Sequence, residues 1–248
     1  MFKKLFFSVL LLALVCANAS AVSFDRGLSL KETSVFMPRK SVFFGGFFSY
    51  HNLNSSSYQI AIVKDLGLKA YTLKATPFLY FTVADNQAVG VRFSYKRNML
   101  DFGGTDLNLS DDLSFSLSEF YLLQHTYSAS VAYRAYIPFK GSRIFALFAD
   151  AGLEVGFGQS RNLSGSGDTA TGTYVTSWEY GLNVSPGVSL FLTNVTALEL
   201  SVGLLGVSYS TKDQVSNHVD NGKLSGLGGH LSIDYLSINI GITFALPY

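Results

Sequence analysis

From residue 41 onward, large apolar side chains recur on every second position. The C-terminus shows this most clearly: Ile238, Ile240, Ile242, Phe244, Leu246 and Tyr248 alternate with Asn239, Gly241, Thr243, Ala245 and Pro247. A period of two is that of a β-strand, whose successive side chains point to opposite faces. Here the bulky residues share one face, and the other face is too small or too polar to form an ordinary core.

Seven more segments read the same way. Val42, Phe44, Gly46, Phe48 and Tyr50 form one face of the first. In the second, Tyr71, Leu73, Ala75, Pro77, Leu79, Phe81 and Val83 oppose Thr72, Lys74, Thr76, Phe78, Tyr80 and Thr82. Val89 to Tyr95 then opposes Gly90, Arg92, Ser94 and Lys96, and Tyr127 to Ile137 opposes Ser128, Ser130, Ala132, Arg134 and Tyr136. Phe145 to Phe157 opposes Ala146, Phe148, Asp150, Gly152, Glu154 and Gly156. Trp178 to Leu190 opposes Glu179, Gly181, Asn183, Ser185 and Gly187, and Leu198 to Leu204 opposes Glu199, Ser201 and Gly203.

The connections alternate in length. Those near residues 84–87, 140–142 and 193–195 are tight, with Asp-Asn or Lys-Gly-Ser turn chemistry. Those near 51–68, 99–125, 160–173 and 211–229 are long and polar. Short turns at one end and long loops at the other predict an all-β fold, an eight-stranded antiparallel up-and-down transmembrane β-barrel. A further hairpin from residues 99–125 would make ten strands. A soluble sandwich or lipocalin-like barrel would have to cover itself with Gly, Ser and Ala, whereas soluble surfaces carry many charges.

Composition sharpens this picture. Charged residues are 14% of the 248 and hydrophobic residues 48%, against about a quarter charged in a soluble domain. The net charge of +1 gives no footing for nucleic acid. Residues 1–19 have the layout of a secretory signal peptide: Lys3 and Lys4, an apolar run from Leu5 to Val15, and Ala17-Asn18-Ala19 before the cut. The only cysteine, Cys16, lies inside it, and Val15 is too large for the residue before a lipidated cysteine. Residues 20–40 read as a periplasmic lead-in and 41–248 as the barrel domain. After the signal, no apolar run reaches the length of a membrane-spanning helix.

Two stretches carry a family resemblance. FFGGFFSY, followed by TPFLYFTVADNQAVGVRFSY, resembles the opening hairpins of small outer-membrane barrels of the OmpX and opacity-porin type. The terminal Phe244, Leu246 and Tyr248 are similar to the C-terminal signal by which such barrels engage the assembly machinery. The resemblance implies a Gram-negative outer-membrane location with lipid and lipopolysaccharide around the barrel. It implies little about activity, because the fold hosts structural proteins, adhesins, channels and a few lipid enzymes.

The inward face carries Lys74, Arg92, Lys96, Arg134, Asp150, Glu154, Glu179 and Glu199, with Tyr80 and Tyr136. Four basic and four acidic residues can pair, as buried charge requires. The register predicts an Arg92–Arg134–Asp150 cluster with Glu199 or Glu154 nearby. Such a cluster serves either as a polar plug or as the constriction of a narrow pore, and the plug is the simpler reading. Outward aromatics such as Tyr50, Tyr95, Tyr174, Trp178 and Tyr248 suit interfacial girdles.

Catalytic signals are sparse. His230 and Ser232 resemble the His-x-Ser pair of outer-membrane lipid A deacylases, but no Glu follows and only Asp234 is close, so the base lacks its orienting partner. The alternation changes face near Tyr235 and Leu236, and the pair reads as a polar loop edge emerging from the membrane. Asp111-Asp112 is similar to the aspartates of outer-membrane proteases but reads as a solvated loop, and Asp168-Thr169-Ala170 is a weak match to a bacterial O-glycosylation acceptor. Four scattered His and no other Cys give no metal spacing, and nothing calls for a cofactor. The expectation is a non-enzymatic outer-membrane protein with a structural or adhesive role through its external loops. Leu113, Phe115, Phe120, Tyr121 and Leu122 are candidate contacts to an extracellular ligand or surface. A narrow porin-like channel is the alternative, and a lipid A-modifying enzyme a more distant one.

Overall fold

The computed structural model describes residues 35–246 apart from 61–62, 104, 111–112, 118–119, 165–170, 217–218 and 232–237. The segment read as a signal peptide lies outside the described residues. The alternating segments become long antiparallel strands: β1 (Val42–Ile60), β2 (Val63–Ala84), β3 (Gln87–Gly103), β6 (Phe120–Pro138), β7 (Phe145–Ser164) and β8 (Thr171–Phe191), with the short β4 (Thr105–Ser110) and β5 (Leu113–Leu117) between β3 and β6. Each long strand pairs with the next long one in chain order. Two further walls of the barrel are each broken in two. The seventh comprises β9 (Thr196–Ser201) and β10 (Leu205–Ser216), and both pieces pair with β8. The eighth comprises β11 (Val219–Leu231), paired with β10, and β12 (Asn239–Leu246), paired with β9. β12 also pairs with β1, Val42 opposite Leu246 and Phe48 opposite Ile240, and so closes the ring. The architecture is an eight-stranded antiparallel β-barrel.

The hairpin in the 99–125 region exists, but it does not widen the barrel. β4 and β5 form a separate two-stranded sheet. The segments expected to be long loops are also largely strand. β1 and β2 stay paired out to Ile60 and Val63, and β10 and β11 out to Ser216 and Val219. Strands β1, β2, β3, β6, β7 and β8 run 17 to 22 residues. About 9–11 residues cross a bilayer, so the hairpins continue well beyond the apolar band.

The seventh wall departs from the expected phase. The sequence predicts unbroken alternation from Leu198 to Leu204, yet strand geometry stops at Ser201 and resumes at Leu205. Before the break, even-numbered Leu200 faces outward; after it, odd-numbered Leu205, Val207 and Tyr209 do. Val202 and Leu204 still donate backbone hydrogen bonds to the Pro186 and Val184 carbonyls, so the ladder to β8 persists across the switch.

The outer face is apolar. Phe48, Phe93, Val131, Ile137, Leu153, Leu182 and Ile242 all stand exposed. A row of aromatics crosses four neighbouring strands at one level: Tyr95 opposite Tyr127, Tyr127 opposite Phe157, and Phe157 opposite Trp178. The buried core lies inside, at the short-turn end, built from Phe43, Phe47, Phe78, Tyr80, Tyr136 and Phe148. Inward glycines make room for these rings. A side chain at Gly90 would overlap the Tyr80 ring, and one at Gly187 the Phe148 ring.

Candidate functional site: the charged lumen

The short-turn end is closed from below by residues just before β1. Asn86 occupies the second position of the Asp85-Asn86 turn with φ of 62°, a left-handed conformation that Asn tolerates better than most residues. Its side-chain oxygen accepts hydrogen bonds from the backbone N–H groups of Phe36 and Met37 (2.9 and 3.0 Å). Asp85 accepts one from Arg39 N–H at 2.8 Å. Phe36, fully buried, is thereby placed against Tyr136 and Phe191, with ring centroids 5.1 and 5.0 Å away. The end of the lead-in is thus part of the barrel core.

Above this stopper sits Arg134 of β6, which has no exposed surface. Its guanidinium meets Asp150 on β7 in a two-point fork, Nε to Oδ1 and Nη2 to Oδ2, both 2.7 Å. Nη1 donates to both oxygens of Glu199 on β9 (3.1 and 2.9 Å) and to the Tyr136 hydroxyl (3.2 Å). Ser189 donates its hydroxyl to Glu199 at 3.2 Å. Six aromatic rings surround the guanidinium carbon, the nearest being Phe148 at 4.3 Å and Tyr80 at 4.8 Å. Burying a charge this completely is tolerable only when it is paired and hydrogen-bonded, and every guanidinium nitrogen here has a partner.

Arg92 of β3 links this floor to the lumen above. Its Nη1 lies 3.7 Å from Asp150 Oδ2, its Nε donates to Ser130 at 3.2 Å, and its Nη2 donates to Asn183 at 2.9 Å. Asn183 in turn donates to Glu154 at 2.9 Å. The structure therefore brings Arg92, Arg134, Asp150 and Glu199 together, with Glu154 attached through Asn183. Lys74, Lys96 and Glu179 stand apart from this network, around a polar cavity of about 460 Å³ above it. The aromatic cage is the feature hardest to anticipate, because VFFGGFFSY places Phe on both faces and hides Phe43 and Phe47 among outward-facing neighbours.

At the C-terminus, Phe244 pairs with Phe44 and stacks on its ring at a centroid distance of 5.6 Å, and Leu246 pairs with Val42. His230 falls in β11, opposite Gly206. Tyr248 lies outside the described residues, as do Ser232, Asp234, Asp111-Asp112 and Asp168-Thr169-Ala170.

No family model matches this chain, and no curated protein does. Among solved structures it is similar to outer-membrane proteins. The outer membrane protein OprG of Pseudomonas aeruginosa shares 14% identity at a TM-score of 0.45, over 86% of this chain and 98% of that one. A major outer membrane protein of Thermus thermophilus shares 11% at 0.42, over 83% and 99%. Neisserial surface protein A shares 14% at 0.29, over 82% and 94%. These values are low, and the barrel assignment stands on this chain's own ring closure and two-faced strands.

Proposed function

We propose that the chain is an integral outer-membrane barrel without enzymatic activity, closed along its axis, which acts structurally and through the hairpins at its long-loop end. The observation that carries this reading is the floor of the lumen. Arg134, Asp150 and Glu199 are each at most 1% exposed, inside a ring of aromatics. An eight-stranded barrel has an interior that side chains can fill, and at this floor they fill it. The contiguous row Tyr95, Tyr127, Phe157 and Trp178 supports a membrane-spanning role, since aromatic girdles mark barrel interfaces with the headgroup region. Lipopolysaccharide and lipid are then the partners of the outer face, and the assembly machinery that of the C-terminal strand. The β1–β2, β7–β8 and β10–β11 hairpins and the β4–β5 hairpin present the surface available to an extracellular partner, as projecting segments on a rigid scaffold commonly do.

Single-channel recording of the refolded barrel in a planar bilayer tests the reading. Wild-type protein is expected to be silent, with leak appearing in Arg134→Ala. Steady wild-type conductance that changes in Arg92→Ala would replace this reading with that of a narrow channel.

A further inference from the structure

Three levels follow one another along the outer wall of β3, β6, β7 and β8. The first is a shallow apolar groove of about 670 Å³. Ala129 lies in it, opposite Phe93 on one side and Val155 on the other, and Val131, Leu153 and Leu182 continue it. The second level is the aromatic row, with the Tyr95 and Tyr127 rings 5.2 Å apart and those of Phe157 and Trp178 5.1 Å apart. The third begins with Arg97 of β3 opposite His125 of β6. Arg161 of β7 stands one step beyond, on the same outward phase.

The cations of the third level lack acidic partners. Arg97 lies with its guanidinium over the Tyr71 ring, 5.5 Å from the centroid, which leaves the donors along its edge free for an acceptor. Among the described residues it has no carboxylate within 4.0 Å, and its Nε is buried without a hydrogen-bond partner. A buried donor without a partner costs free energy, so an acceptor at this atom is favourable. His125 is joined to the Tyr95 hydroxyl through Nδ1 at 2.9 Å, and its Nε2 has no partner among the described residues. Arg161 is exposed and has no ion pair among them. Beyond the aromatic row the outward phase of β3, β6 and β7 carries one carboxylate, Asp101, which lies opposite Lys69 of β2. The level of Arg97 and His125 continues through Gln159 and Thr176 to Asp213 of β10, and Asp213 lies 4.0 Å from Lys223. Uncompensated positive charge is therefore confined to the β3–β7 side.

We propose that this strip of wall binds an anionic, phosphate-bearing membrane lipid. Its phosphate is held by Arg97 and His125 with Arg161 beside them, and an acyl chain lies in the groove on the other side of the aromatic row. The inference rests on the membrane-spanning reading of the outer face and adds to it a place and a headgroup chemistry. The order of groove, aromatic row and cations is the order of a lipid's tail, interface and charged head. The forked donors of arginine match phosphate oxygens. Free phosphate gains the cations but not the groove. A zwitterionic headgroup brings an ammonium group to a wall with no uncommitted carboxylate to receive it.

Trp178, the single tryptophan, reports on the site, because it belongs to the aromatic row and stands two residues from Tyr180 at the groove. Its fluorescence is followed with the chain refolded in phosphatidylcholine vesicles containing increasing fractions of a lipid brominated on its acyl chains, a contact quencher. Brominated phosphatidic acid is expected to reach half-maximal quenching at a roughly tenfold lower fraction than brominated phosphatidylcholine. Arg97→Gln and Arg161→Gln should each cut that preference roughly fivefold, while Lys223→Gln, on the far side of the barrel, should leave it unchanged. Arg161 is exposed, so its variant carries the test should Arg97→Gln fail to fold. Inorganic phosphate added at constant ionic strength should not erase the preference; if it does, the cations hold a free anion and the lipid assignment falls. Equal quenching by the two lipids, or a preference that survives both arginine variants, overturns the site and leaves the membrane reading standing. Quenching by neither lipid overturns both.

Discussion

Arg134 and Asp150 lie directly opposite one another on β6 and β7, and their side chains meet in a two-point fork with both contacts at 2.7 Å. The register that aligns the backbones therefore also aligns the charges. Removing the arginine leaves Glu199 buried without its counter-ion and Asp150 with only Arg92, 3.7 Å away. Loss of one partner of a buried pair costs about 3–5 kcal/mol. Arg134→Ala should lower the unfolding free energy of the refolded barrel by that order, read from urea titration in micelles. Arg134→Lys keeps the charge but loses the planar fork, and should fall between wild type and Arg134→Ala.

Gly152 lies beneath the tip of Arg92, and a Cβ there would overlap Arg92 Nη2. Gly152→Ala should push Arg92 off Asn183 and cost about 1–3 kcal/mol as overpacking. Gly156, on the same strand, has its nearest neighbour at 3.5 Å. Gly156→Ala should change stability by less than half as much in the same assay.

Leu153 points outward with 67% of its surface exposed. If that surface meets acyl chains, Leu153→Arg should destabilise the barrel by about 2–4 kcal/mol in lipid vesicles. A soluble protein would accept arginine at so exposed a position with little change, so the vesicle-based unfolding curve discriminates sharply.

Asn86 holds the stopper through two hydrogen bonds to Phe36 and Met37. Asn86→Gly preserves the left-handed turn and removes only those bonds. Its expected effect is a modest destabilisation of about 1–3 kcal/mol from unsatisfied donors, with faster proteolysis of the segment before β1. Unaltered proteolysis would show that Phe36 is held by its ring contacts alone.

The strand phases are legible in the sequence because the outer face of the barrel is apolar throughout: Leu79, Val91, Val131 and Leu153 all stand exposed on it, and their inward neighbours are mixed. The identity of the floor charges is legible for the same reason, since Arg134, Asp150 and Glu199 fall on the inward phase. The break at residues 202–204 is not. Val202 and Leu204 continue the apolar alternation of Leu198 and Leu200, and nothing in their side chains marks the point where the phase turns over. The stopper is equally hidden, because Phe36 and Met37 precede the first alternating residue, and the short run Val35-Phe36-Met37 carries no period. The long hairpins look like loops by composition, being rich in Ser and Asn, while hydrogen-bonded pairing beyond the apolar band needs no apolar face.

The concentration of rings and charges at the short-turn end makes the barrel mechanically uneven along its axis. The lower part behaves as a stiff hub, its walls cross-braced through one guanidinium. The upper part is a sleeve, held mainly by backbone ladders around open space. Slow amide exchange should concentrate in the hub, and breathing motions in the sleeve. Shape changes driven by contacts at the far hairpins would then be absorbed before they reach the short-turn end.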